Sequence, residues 1–150
     1  MPPPLFITIT GCNPSHGSLI LNDHGHTRAE QSDTIIWQIA TPGVYEITSI
    51  KRKDGSDNIF SIEPYPQSPR QWRGEINEHA PECSVYIYSI IWKASATGPE
   101  LTYDPIISIK PSGLHLDKHF KKGSLMTWIV SLLGLFAISG LFWQKKKSNK

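Results

Sequence analysis

The sequence predicts an all-β domain, an antiparallel β-sandwich of about seven or eight strands, followed by a single C-terminal transmembrane helix. Three observations lead there. Short segments before residue 111 alternate in polarity with period two and are rich in β-branched and aromatic residues. Turn-forming residues separate them, and the 12 Pro are scattered so that no long helix fits before residue 112. One run, Leu125 to Trp143, is predominantly apolar and carries no charge.

The strands follow in order. Leu5, Ile7 and Ile9 alternate with Phe6, Thr8 and Thr10, and Ser18 to Leu21 adds a short partner. Ile35, Trp37 and Ile39 share one face of TIIWQI, and VYEITSI (44–50) follows the Thr41-Pro42-Gly43 turn. IFSI (59–62) and WRGEI (72–76) are shorter candidates. In SVYIYSIIWKA (84–94), Val85, Ile87 and Ile91 share one face and Tyr86, Tyr88, Ile90 and Trp92 the other. That pattern suits a central strand covered on both sides. IISIK (106–110) closes the series. Trp37 and Trp92 are expected in the core. Gly11 to Gly17, Asp23 to Gly25, Asp54-Gly55, Pro64 to Pro69, Gly98-Pro99 and Asp104-Pro105 supply turn chemistry. The expected boundaries are 1–111 for the sandwich, 112–123 for a juxtamembrane linker, 124–143 for the membrane helix and 144–150 for a basic tail.

At about 1.5 Å per helical residue, the apolar run spans roughly 28 Å, close to the thickness of a bilayer's hydrocarbon core. Lys121 and Lys122 precede it, and Lys145, Lys146 and Lys147 follow. Trp128 and Trp143 lie near its ends, where amphipathic rings favour the headgroup level. Leu114, Leu116 and Phe120 are spaced to touch the bilayer surface. The lipid bilayer, through residues 124–143, is therefore the first expected partner. Ser131, Gly134, Ala137 and Gly140 recur every three residues, which would let a second helix approach closely and a homo-oligomer form. Ordinary membrane-helix composition accounts for the same stripe, and there is no true Gly-x-x-x-Gly.

Composition allows a packed domain, with 39% hydrophobic and 19% charged residues. The net charge of +2 is unevenly placed. Residues 1–110 hold 8 Lys/Arg against 12 Asp/Glu, whereas residues 111–150 hold 7 Lys against one Asp. The basic balance thus belongs to the membrane flanks, where lysines suit anionic headgroups. A mildly acidic domain argues against nucleic acid, which needs a basic face to displace condensed counterions.

The N-terminus, MPPPLFITIT, has neither a positive n-region nor an apolar h-region. The only segment that could direct insertion is the late one. The expectation is a single-pass, tail-anchored membrane protein whose domain faces the cytosol. Cys12 and Cys83 are too few for a disulfide framework and should be free thiols there. One bridge between them would instead mark an exported domain.

Ser32-Asp33-Thr34-Ile35-Ile36-Trp37 resembles the Gly-Asp-Thr-Val-x-Trp strand of cupredoxin-like sandwiches, with Ser32 where that pattern has Gly. The strand order, the mid-domain Trp37 and the late Tyr86-x-Tyr88 strand resemble immunoglobulin-like folds. The segment Tyr103 to Pro111 is similar to the last strand of small bacterial β-domains of uncharacterised function. These resemblances imply the fold and no particular activity. A blue-copper site would need two His, one Cys and a weak axial ligand, usually Met. No His follows Cys83 at the needed spacing, His79 precedes it, and the two Met are Met1 and Met126. No copper or other cofactor is expected.

Two further patterns bear on chemistry. Cys12, His16, His24 and His26 lie within one short segment and are all possible zinc ligands, although their spacing is not that of a structural zinc site. His24 and His26 would share a face if both lay on a strand. Ser15-His16 and Glu78-His79 supply letters of a hydrolytic triad without a Gly-x-Ser-x-Gly elbow, and phosphate-binding Gly loops are absent. Lys51-Arg52-Lys53 reads as a solvated hairpin end or as a contact for anionic headgroups or an acidic partner. The Pro-rich stretch Tyr65 to Trp72 reads as a loop whose Tyr65, Arg70, Trp72 and Arg73 could anchor a protein partner. The expected function is a membrane-anchored, non-enzymatic β-sandwich that binds or scaffolds a protein. The alternative is a small membrane-bound metalloprotein or enzyme using Cys12, His16, His24 and His26.

Overall fold

Period-two segments become strands because each can bury alternate side chains against a second layer. In the computed structural model, which describes residues 3–111, ten strands form among the described residues. They are β1 (Leu5–Asn13), β2 (Ser18–Leu21), β3 (His26–Ala29), β4 (Thr34–Ile39), β5 (Glu46–Arg52), β6 (Phe60–Ser68), β7 (Gln71–Ile76), β8 (Val85–Lys93), β9 (Leu101–Tyr103) and β10 (Ile106–Ile109). A single 3-10 turn, Pro14–His16, joins β1 to β2. Among the described residues no helix is long and apolar enough to cross a membrane. The linker beyond Pro111, the apolar run, its stripe Ser131, Gly134, Ala137 and Gly140, and the basic tail lie outside the described residues.

The first sheet has the order β2-β1-β4-β7-β6, and the second has β3-β10-β8-β5, with β9 also paired to β8. Both are mixed, which corrects the antiparallel expectation. β1 runs parallel to β4, with Ile7 opposite Trp37, and β3 runs parallel to β10, with Thr27 opposite Ile107. The cause is connectivity. After β2 the chain leaves the first sheet, forms β3 in the second and returns as β4, so residues 14–33 supply the long crossover that a parallel pair needs.

Two tight turns make that crossover. At Asp23–His26, His24 and Gly25 both have left-handed backbone (φ 57° and 82°), and the His26 N–H closes the turn on the Asp23 carbonyl at 3.2 Å. Gly25 is required, because a Cβ there would sit 2.7 Å from the Tyr103 hydroxyl. At Glu30–Asp33, Ser32 has φ 65°, the Asp33 N–H donates to the Glu30 carbonyl at 3.2 Å, and Asp33 Oδ2 accepts the Glu30 N–H at 2.7 Å. Ser32 is the position where the cupredoxin-like pattern has Gly, and a left-handed turn position is where Gly is conformationally cheapest.

The core lies between the inner faces. Ile7, Ile9, Leu19, Leu21, Ile35 and Trp37 come from the first sheet, and Tyr86, Tyr88, Ile90, Trp92 and Ile107 from the second, all buried. Trp37 and Trp92 are fully buried as expected. Trp37 meets Tyr88 edge-on at 5.9 Å across the layers, and its Nε1–H donates to the Tyr88 hydroxyl at 3.0 Å. Phe60 meets Tyr86 edge-on at 4.9 Å. β8 is central, as its composition suggests, but only one of its faces is covered. Val85 and Ile87 are 40% exposed, so the expectation of material on both sides is overturned. β3 and β9 escaped the strand reading. β3 turns the modest side chains Thr27 and Ala29 inward, and β9 is three residues long.

Candidate interaction surface

Residues 65–72 are strand and turn, not the expected loop. β6 continues through Pro64 and Pro66 to Ser68, and β7 begins at Gln71. β6 is the edge of its sheet and pairs with β7 through three register irregularities. An edge strand tolerates Pro because one side needs no ladder hydrogen bonds.

The tip of this hairpin fastens one end of the sandwich. The Arg70 guanidinium donates to the carbonyls of Val44 (2.9 Å), Thr41 (2.9 Å), Ile39 (3.3 Å) and Tyr45 (3.4 Å). Trp72 is buried, and its Nε1–H donates to the Ile47 carbonyl at 3.2 Å. The Ile47 N–H donates in turn to the Pro69 carbonyl at 3.0 Å. β5 belongs to the second sheet, so these bonds tie the two sheets together. A shallow cleft of about 470 Å³ lies at the seam, lined by Glu46, Ile47, Thr48, Pro66, Pro69 and Trp72 among others. Of the four anchors suggested by the sequence, Arg70 and Trp72 are thus engaged in holding the fold together.

Tyr65 and Arg73 are placed differently. They are cross-strand partners on the outer side of the first sheet. Arg73 in turn lies opposite Ile36, and Ile36 opposite Phe6. The row Phe6–Ile36–Arg73–Tyr65 therefore crosses β1, β4, β7 and β6. Ile62 lies opposite Glu75 beside it, and Ile20 stands on β2. Phe6 is 43%, Ile20 59%, Ile62 43% and Tyr65 38% exposed. Arg73 Nη2 pairs with Glu75 Oε1 at 2.8 Å, so the one charge in the row is neutralised by its neighbour. Sequence reading missed Phe6, Ile36 and Ile20. Their signal was present as apolar residues at the outward positions of otherwise alternating strands.

The proposed metal ligands are dispersed in role. Cys12 Sγ donates to the Gly43 carbonyl at 3.2 Å, His16 ends the 3-10 turn, and His24 occupies a left-handed turn position. His26 begins β3 and hydrogen-bonds through Nε2 to Ser108 Oγ at 2.9 Å. His24 lies in the turn before β3 and only His26 lies on the strand, so the two do not share a strand face. Among the described residues no three His, Cys, Asp or Glu side chains group to hold a metal. Cys12 and Cys83 are free thiols.

Burial raises the pKa of Tyr88 well above the phenol range, and burial followed by the nearby Glu63 carboxylate does the same for Tyr86. Both stay protonated inside the core. At the surface, hydrogen bonds from Lys53 and then Ser89 hold the Asp104 carboxyl below its ordinary range, with Lys53 Nζ and Ser89 Oγ each 2.6 Å from a carboxylate oxygen. No protein-family model matches this chain, and no curated protein matches it.

Proposed function

We propose that the chain is a membrane-anchored, non-enzymatic β-sandwich, cupredoxin-like in its β4 entry, that binds a protein partner through the outer face of its first sheet. The domain faces the cytosol, and the run 124–143 holds it at the bilayer. The observation that carries the binding role is the row Phe6–Ile36–Arg73–Tyr65, an aromatic and aliphatic strip across four strands with one internally neutralised ion pair. Apolar side chains with an aromatic and an arginine among them are the usual centre of a protein interface. The lysine-flanked, charge-free run supports the anchor.

Photo-crosslinking in cells tests the face. A crosslinking residue at Tyr65 of the full chain should give one discrete protein adduct, and Ile36→Glu should abolish it without changing the melting temperature of the protein. A crosslinker at Asn58, on the loop before β6, should give none. Equal adducts from Tyr65 and Asn58, or an adduct indifferent to Ile36→Glu, would refute a specific face.

A further inference from the structure

The cations of this acidic domain are sorted by sheet. The strands of the second sheet carry Arg28, Lys51, Arg52 and Lys93 against the single anion Glu46. The strands of the first sheet carry Arg73 against Glu63 and Glu75. Chance placement would follow the overall excess of acid in residues 1–110, and the second sheet runs against it.

The outer side of that sheet also carries its own apolar centre. His26, Ile106 and Ile87 lie side by side across β3, β10 and β8, and Arg28, Ser108 and Val85 form the next row. Lys53 continues the first row, its N–H donating to the Ile87 carbonyl at 2.9 Å. Lys51 lies opposite Ser89 one step further on. Asp104 stands among these groups but is taken up by Lys53 and Ser89, and Asp57 is held on the Val85 N–H at 2.9 Å. The side chains of Arg28 and Lys51 make no hydrogen bond or ion pair with the described residues.

Apolar side chains flanked by two unpaired cations, Arg28 and Lys51, suit the interface of an anionic bilayer, where the first enter the headgroup boundary and the second meet negative lipid. The path of the chain favours that occupant over an acidic protein. β10 contributes Ile106 and Ser108 to this face and ends at Ile109, and the apolar run begins 16 residues later at Leu125. Even fully extended, that length spans at most roughly 55 Å. The face is tethered near the bilayer at high effective concentration, so contacts that are weak singly are sufficient.

We propose that the outer face of the second sheet docks on the anionic leaflet of the membrane that anchors the chain, with Val85, Ile87 and Ile106 at the headgroup boundary and Arg28 and Lys51 on negative lipid. This rests on the anchored reading above. It also leaves the first sheet facing away from the membrane, open to a partner.

The test uses the full chain with Cys12→Ser and Cys83→Ser, reconstituted in vesicles of phosphatidylcholine alone or of equimolar phosphatidylcholine and phosphatidylserine. The polarity-sensitive fluorophore NBD is attached through Val85→Cys, Ile36→Cys or Leu135→Cys. Emission at position 85 should shift to the blue in the serine-containing vesicles only, and the shift should be lost with Arg28→Glu plus Lys51→Glu. Position 36 should stay water-like in both vesicles, and position 135 should report hydrocarbon in both. Water-like emission at 85 in serine-containing vesicles, with 135 in hydrocarbon, overturns the docking and leaves the anchor standing. Water-like emission at 135 overturns both. A shift at 85 produced by soluble polyglutamate but not by the vesicles overturns the bilayer in favour of an acidic protein surface.

Discussion

Ser32 carries a backbone conformation that its Cβ resists. At φ 65° it occupies the turn that returns the chain from the second sheet to β4. A left-handed residue other than Gly gives up roughly 1–2 kcal/mol, partly offset because Gly is freer in the unfolded chain. Ser32→Gly should therefore stabilise the domain by about 0.5–1 kcal/mol in denaturant unfolding. A loss of stability would mean that the Ser32 side chain supports the turn. Trp92 makes the opposite case. It is fully buried, and its Nε1–H donates to the Gly17 carbonyl at 3.3 Å. Trp92→Ala should lower stability by about 3–5 kcal/mol, the range for emptying a packed aromatic site. A change below about 1 kcal/mol would mean that the β8 face has been misassigned.

At the scale of elements, the β6–β7 hairpin joins the layers as well as extending one of them. Its tip places Arg70 on four carbonyls of the segment that leads from β4 into β5, and Trp72 on β5 itself. Because Arg70 keeps surface exposure, water can replace part of what it supplies. Arg70→Ala should accordingly lower stability by about 1–2 kcal/mol, and Arg70→Lys should recover only part of that, since an ammonium cannot span four acceptors as a planar fork does. Paired urea titrations would check the order wild type, Lys, Ala. This hairpin is also where reading the sequence fell short. Pro64, Pro66 and Pro69 signal a break, and only the edge position of β6 makes two of them compatible with a strand. By contrast β2, β4, β7, β8 and β10 were legible, because alternating β-branched and aromatic residues leave few other ways to bury a face.

For the molecule as a whole, the anchor and the thiols make one joint prediction. Removal of residues 124–150 should move the protein from the membrane to the soluble fraction, because the charge-free run carries nearly all the apolar surface available to the bilayer. In the full chain, Cys12 and Cys83 should react with a thiol reagent after unfolding without prior reduction, as expected of a domain in the reducing cytosol. A truncated protein that still pelleted with membranes through an alkaline carbonate wash would contradict the anchor. A native Cys12–Cys83 bridge would place the domain on the opposite side.

The sequence by itself determined the all-β class, most of the strands, the buried Trp37 and Trp92, and the existence of one long charge-free run. Each of these is local. Period two, turn chemistry and run length are properties of neighbours along the chain, and the hydrophobic effect reads them directly. Tertiary structure alone decided the rest. It decided that β1 and β4 run parallel, because that depends on a connection leaving one sheet and returning to it. Arg70 and Trp72 hold the fold while Tyr65 and Arg73 face outward, because the groups that meet them lie on other strands. The cations gather on one sheet and an apolar strip crosses the other, because a face is assembled from residues far apart in sequence, and register alone makes them neighbours.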